Sequence, residues 1–280
     1  MGEYVFELEK VNYLYMNKIP ALVDINLRIH SGERMAILGA NGSGKSTLLK
    51  MLNGLIFPSS GVIKAFGQIV TEDMLEDGEF NKYFRTKVGF IFQDPDVQLF
   101  CPTVRDEILF GPLQLDIPKE EAYRRLDDLL QMLEIKDLVD RPTYQLSGGE
   151  KKRISIAAVL AVNPDVLMLD EPTNGLDPRT QLWLKELLME LARTGKSVIT
   201  CTHDLEIVGD IADRAIVLDE SHRIVADGPA KEILGDKDLL LRANLIHEHA
   251  HRHGSVLHHH PHAHAREHEH DHLSGVRDQK

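Results

Sequence analysis

The chain has 280 residues, 42% of them apolar and 27% charged, which suits a folded domain with a sizeable core. Lysine and arginine number 32 against 44 acidic residues, and the formal charge of −12 excludes the basic excess of a broad phosphate-backbone binder. The longest unbroken apolar run, residues 156–162, is seven residues long, where a membrane span needs ~20.

The first ten residues lack the basic stretch and apolar core of a secretory signal. Cys101 and Cys201 provide no disulfide framework. Together these features predict a cytosolic globular protein. The oddity is histidine: of 15, twelve lie between His247 and His272.

In chain order, residues 34–38 read as a short apolar strand running into a glycine-rich loop, and residues 45–53 as a helix closed by Gly54. Residues 88–92 read as a buried strand. From about 102 to 161 the pattern is helical. Ala122, Leu126, Leu129, Leu130 and Leu133 fall at i, i+4, i+7, i+8 and i+11, one face of a helix. A second buried strand is predicted at 165–169 and a helix at 183–191 before Gly195. The β-branched run at 197–202 reads as a further strand. Strands alternating with helices predict an α/β sheet with parallel elements, and residues 102–161 an inserted helical lobe. Near Ala243 the composition turns histidine-rich. Residues 247–280 hold four basic and five acidic side chains, so the body carries the remaining −11.

The strongest chemical signal is Gly39-Ala40-Asn41-Gly42-Ser43-Gly44-Lys45-Ser46, followed by Thr47. It fits GxxxxGK[ST] and lies after a strand and at the start of a helix, where a phosphate-binding loop must be. The glycines let backbone N–H groups curl around phosphate oxygens, and the helix N-terminus adds its positive dipole end. Lys45 brings a charge to the terminal phosphates and Ser46 a hydroxyl to Mg²⁺.

A second signal is the apolar run of residues 166–169 ending in Asp170 and Glu171. Alone, these acids also read as a strand end before a Pro172 turn. Paired with the loop, Asp170 becomes a candidate Mg²⁺ holder and Glu171 a candidate base for water aimed at the γ-phosphate. No NKxD guanine-reading motif occurs; Asn81-Lys82 is followed by Tyr83-Phe84, so adenine is expected.

Further motifs carry a resemblance to the ABC-type ATPases. Leu146-Ser147-Gly148-Gly149-Glu150 resembles their signature motif, with Ser147 lying 23 residues before Asp170. Gln93 ends Phe90-Ile91-Phe92-Gln93 like the family's Q-loop. Gly175-Leu176-Asp177 is similar to its D-loop, and His203 to its switch histidine. Tyr15 matches the aromatic that stacks on adenine, although Tyr13 competes for the role. The match runs from about Val5 to Leu234.

The resemblance implies an α/β P-loop NTPase cassette with a RecA-like core, an antiparallel β subdomain and an inserted helical subdomain, over residues 1–243. It implies ATP and Mg²⁺, the latter held through Ser46, Gln93 and Asp170. Glu171, His203 and Gln93 are the implied catalytic residues, and Asp177 joins the nucleotide site. It also implies a head-to-tail dimer, with itself or a sister cassette, in which Ser147, Gly148 and Gly149 close on the partner's ATP. Glu150 departs from the family's usual glutamine, and a modest effect is expected.

Residues 94–100, 103–108 and 110–112 resemble the ATPase subunits of energy-coupling-factor importers, particularly the cobalt and nickel branch. In that family the region meets a transmembrane coupling subunit, which works with a substrate-binding membrane subunit. The resemblance therefore implies a peripheral protein at the cytoplasmic face of the membrane, with no nucleic-acid partner. Vitamin importers share these motifs, and a soluble metal-storage or sensing ATPase is the alternative from another class.

Residues 244–280 are expected to lack regular structure. Neutral imidazole is a good ligand for Ni²⁺, Co²⁺ and Zn²⁺. The candidates are His247, His249, His251, His253, His258, His259, His260, His262, His264, His268, His270 and His272. A solubilising tail with no metal role is the plainer reading.

Overall fold

The computed structural model describes residues 4–253 and 256–263, with side chains through Ile246. The strands, in chain order, begin with β1 (Tyr4–Tyr15) and β2 (Ile19–His30), a long antiparallel pair. Leu22, Ile25, Leu27 and Ile29 of β2 are buried while polar residues between them face out, as a strand covered on one side requires. Then come β3 (Arg34–Gly39), β4 (Ser60–Ala65), β5 (Gln68–Ile69) and β6 (Val88–Ile91). The series continues with β7 (Val166–Asp170), β8 (Ser197–Cys201), β9 (Arg214–Leu218) and β10 (Ile224–Pro229). Last are β11 (Ile246–His253) and β12 (Val256–Ala263).

Two sheets build the body. The first, antiparallel, has the order β2-β1-β4-β5; the second has the order β10-β9-β3-β8-β7-β6 and is parallel except for edge strand β10. The central parallel strands are continuous apolar runs because both faces are covered. Their alternation divides the core in two. Leu38, Leu167, Leu169 and Val198 point toward one set of helices. Met35, Ile37, Val166, Met168 and Ile199 point toward the antiparallel sheet and the helix Lys45–Leu52.

The helical lobe holds Val104–Gln114, Lys119–Met132 and Gly148–Leu160, with two short 3₁₀ turns between the second and third. Ala122, Leu126, Leu129, Leu130 and Leu133 are all buried, so the predicted apolar face is the packed one. Thr103 caps the first of these helices by accepting from the Asp106 N–H. Among the described residues no helix is long and apolar enough to cross a membrane.

The core extends past Ala243 to Leu245 and Ile246, both buried. Beyond it the backbone of β11 and β12 pairs as an antiparallel hairpin, with His247 opposite His262, His249 opposite His260 and His251 opposite His258. The alternating histidines thus fall on one face of each strand's backbone period. Residues 264–280, with His264, His268, His270 and His272, lie outside the described residues, as do the side chains of the other tail histidines.

Candidate functional site

Strand register brings the chemical residues together. Ile37 of β3 lies beside Cys201 of β8, and Cys201 beside Asp170 of β7. The loops after these three strands therefore leave the sheet at one edge, where ligands of open α/β sheets bind. A cavity of about 430 Å³ opens there, lined by Tyr15, the loop from Asn41 to Thr47, Gln93, Glu171, Asn174, His203 and His222.

The loop has the shape of a phosphate cradle. Gly44 has φ +110°, and a Cβ there would stand 2.3 Å from the Ala21 carbonyl oxygen, so only glycine fits. The Lys45 ammonium donates to the Gly39 carbonyl at 2.8 Å and the Ala40 carbonyl at 3.2 Å, and lies 3.7 Å from Glu171 Oε1. Within the same loop Ser43 Oγ is buried without a hydrogen-bond partner. Ser46 Oγ donates to Asp170 Oδ1 at 2.9 Å. Burial raises the Asp170 pKa against the lowering effect of that bond, which suits a carboxylate meant to face a cation. The hard oxygen donors of Ser46 and Asp170 fit Mg²⁺ beside phosphates.

Glu171 is buried and has a left-handed φ of 41°, an uncommon backbone for a non-glycine residue. Its N–H donates to the Cys201 carbonyl at 2.9 Å, which ties the turn to β8. Its Oε2 meets His203 Nδ1 at 2.9 Å and also accepts from the His203 backbone N–H at 3.3 Å. Glu171 and His203 are thus one unit at the cavity wall. Tyr15 Oη pairs with Thr47 Oγ1 at 3.0 Å and lines the cavity, whereas Tyr13 packs edge-on against Tyr15 and the core.

The signature residues do not line this cavity. Ser147 caps the helix Gly148–Leu160 in a reciprocal capping box: its Oγ accepts from the Glu150 N–H at 3.3 Å, and Glu150 Oε2 accepts from the Ser147 N–H at 2.7 Å. Those bonds hold the Glu150 carboxyl below its ordinary pKa. Asp177 is likewise an N-cap, accepting from the N–H groups of Arg179 and Thr180 and from the Thr180 hydroxyl, which also lowers its pKa.

Sequence reasoning missed His222, whose Nδ1 stands 3.2 Å from the Ser43 carbonyl, and Asn174, which lines the cavity. No motif flags either residue; only the fold brings the turn after β9 onto the loop. Among the described residues no group of three or more His, Cys, Asp or Glu side chains is arranged to hold a metal ion.

A parallel-strand edge with a lysine-bearing phosphate cradle, a hydroxyl and carboxylate for Mg²⁺, and a carboxylate–histidine pair defines a P-loop nucleotide hydrolase. The ABC transporter family model matches residues 22–174, and the chain belongs to that family of ATP-hydrolysing cassettes.

The chain is 56% identical to a putative ABC transporter ATP-binding protein of Methanosarcina acetivorans, over 89% of this chain and 92% of that one. It is 47% identical to the nickel import ATP-binding protein NikO of Rhodobacter capsulatus, over 86% and 95% of the two chains. The structure of cbiO1 from Clostridium perfringens, described as part of the ABC transporter complex cbiONQ, superposes with a TM-score of 0.74 at 39% identity, over 87% of this chain and 95% of that one. An ATP-binding cassette solved as a dimer with ADP and Pi superposes with a TM-score of 0.72 at 30% identity, over 80% and 98%.

Proposed function

We propose that this chain is the ATP-hydrolysing subunit of an energy-coupling-factor importer for nickel or cobalt ions, held at the cytoplasmic face of the membrane by its partners. The observation that carries the hydrolytic reading is the Lys45–Glu171–His203 constellation at the cavity wall. Adenine rests against Tyr15 and the phosphates lie in the loop from Gly39 to Thr47. Ser46 and Asp170, with Gln93, would hold Mg²⁺, which would neutralise phosphate charge when bound.

Glu171 accepts a proton from the attacking water. His203 fixes the carboxylate through Nδ1 in this structure, and would hydrogen-bond the γ-phosphate once nucleotide is bound. Lys45 stabilises charge on the terminal phosphates as the bond breaks. Ser147, Gly148 and Gly149 serve the ATP of a partner cassette, with Asp177 at the same junction. An exposed helix N-terminus is a ready anion site that its own cavity does not use.

The importer reading draws on the likeness to NikO and cbiO1. A surface near the resembling segment, with exposed Val97, Phe100 and Phe110, offers apolar contacts for a membrane subunit. The histidine-rich tail supports nickel or cobalt as cargo and adds a capture role for Ni²⁺, Co²⁺ or Zn²⁺. Likeness at 43% identity to an energy-coupling factor transporter ATP-binding protein of Methanothermobacter thermautotrophicus supports the energy-coupling-factor class, within which a vitamin importer on the same ATPase is the second reading.

Purification of the complex from membranes and mass spectrometry of its partners tests both. A nickel- or cobalt-type substrate subunit is expected, and a vitamin-type subunit overturns the metal reading. Titration of Ni²⁺ into the full chain and into a chain ending at Ile246 tests the tail: equal binding by both removes its capture role.

A further inference from the structure

Lys152 is 1% exposed, one of the largest fully buried side chains of the protein, and no motif above assigns it a role. Burial lowers its pKa to about 8, against the pull of the Asp170 and Asp94 charges. Burying an ammonium costs stability that a methionine or leucine of similar length would not lose. Among the described residues, the one hydrogen bond of its ammonium is informative. The Lys152 Nζ donates to the Phe92 carbonyl at 3.1 Å, at the residue immediately before Gln93.

Gln98 makes the companion contacts. Its Nε2 donates to the Ser155 carbonyl at 2.8 Å, and its Oε1 accepts from the Phe92 N–H at 3.2 Å. Lys151 adds an ion pair with Asp96. Both backbone polar groups of Phe92 are therefore held by side chains that are on, or bonded to, the signature helix. On the far side of Gln93, Asp94 caps the turn Pro95–Gln98 through the Asp96 N–H. Gln93 is left on a short bridge between two pinned points, with its side chain at the cavity. Lys152 also follows Ser147 by five residues, about 7.5 Å along the helix axis at 1.5 Å per residue.

We propose that Lys152, seconded by Gln98, is a positioning residue that fixes Gln93 to the signature helix. The group meeting this cassette's own nucleotide and the helix end meeting the partner's then move as one piece. The inference rests on the roles proposed above for Gln93 and Ser147. It also accounts for a costly buried charge: a strong donor must follow the Phe92 carbonyl whenever the helix shifts.

A double-mutant cycle on kcat for ATP hydrolysis tests it, with Lys152→Met, Gln93→Ala and both together in the full chain. Lys152→Met is expected to lower kcat by about tenfold to a hundredfold, the effect of a small misplacement of a catalytic group. ADP affinity should stay within about twofold, and the thermal midpoint should be unchanged or raised. Gln93→Ala is expected to lower kcat by itself, and Lys152→Met to add little on top of it. Lys152→Arg, which restores a donor, is expected to recover part of the loss. Full additivity of the two substitutions, or a kcat loss matched by a lowered thermal midpoint, overturns the inference alone. A Gln93→Ala variant with undiminished kcat overturns the site reading itself.

Discussion

The nucleotide cavity and the N-terminus of the signature helix are both built to receive anions, but they are finished differently. The cavity gathers its own catalytic candidates from one chain. Its lysine, hydroxyl, carboxylates and histidine come from the ends of three adjacent strands, and they are buried or half-buried and bonded to one another. The signature helix begins on exposed Ser147 and Gly148, and the Ser147 N–H and hydroxyl are engaged in a local capping box with Glu150. One region draws its groups together from several strands; the other, on the proposal above, is offered to a second cassette. The difference teaches that burial and mutual bonding mark the groups a chain assembles for itself, and exposure at a helix end those it can offer outward.

The sharpest way to break the comparison is to remove chemistry from the cavity. Glu171→Gln keeps the shape of the side chain and its contact with His203 but removes the base. Steady-state ATPase activity is expected to fall by ~10²–10⁴-fold, with nucleotide binding retained in an equilibrium titration. Activity close to that of the parent would mean that the water is activated elsewhere.

The next test acts on the signature helix. Ser147→Arg places a bulky cation at the helix end without entering the cavity. If the signature serves a partner's ATP, kcat should fall by about 10²-fold while ADP binding by the single chain stays within about twofold. Loss of ADP binding would instead place the signature in its own cavity and erase the distinction.

Lys152 joins the two regions and gives a smaller effect, read through pH. Its pKa is about 8 when folded against an ordinary 10.5. Between these values the unfolded chain binds more protons, so this group's contribution to stability rises with pH across that window. Below pH 8 the burial cost of the charge is fully present. The stability of the parent relative to Lys152→Met is therefore expected to improve from pH 8 to pH 10.5, by on the order of 2 kcal/mol. Denaturant melts at both ends of the window measure it, and a difference that is flat with pH would show that Lys152 is not desolvated.

Much of this was legible in the sequence because it rests on short-range chemistry. The glycine-rich loop, the apolar run ending in Asp170 and Glu171, and the helix period of Ala122 to Leu133 each need only neighbouring residues to be read. The register that sets Asp170 beside Cys201, the left-handed turn at Glu171 and the reach of His222 to Ser43 depend on which strands pair. Local patterns do not encode that pairing. Lys152 was hidden for a related reason: among the charged residues of a signature helix, only packing shows which one turns inward.

The smallest expected effect concerns Glu150, where the family usually has glutamine. The capping box explains why either residue serves. A side-chain oxygen at the third helical position must accept from the Ser147 N–H, and glutamine supplies one as glutamate does. The carboxylate adds a favourable interaction with the helix N-terminus, worth ~0.3–1 kcal/mol at an exposed site. It also adds a negative charge near the place where a partner's phosphate would dock. These effects oppose each other when the dimer forms. Glu150→Gln is thus expected to lower the thermal stability of the single chain slightly and to leave kcat within about twofold. Glu150→Ala removes one arm of the box and should cost about 1 kcal/mol. A large kcat gain in Glu150→Gln alone would show that repulsion at the helix end, not the cap, dominates this position.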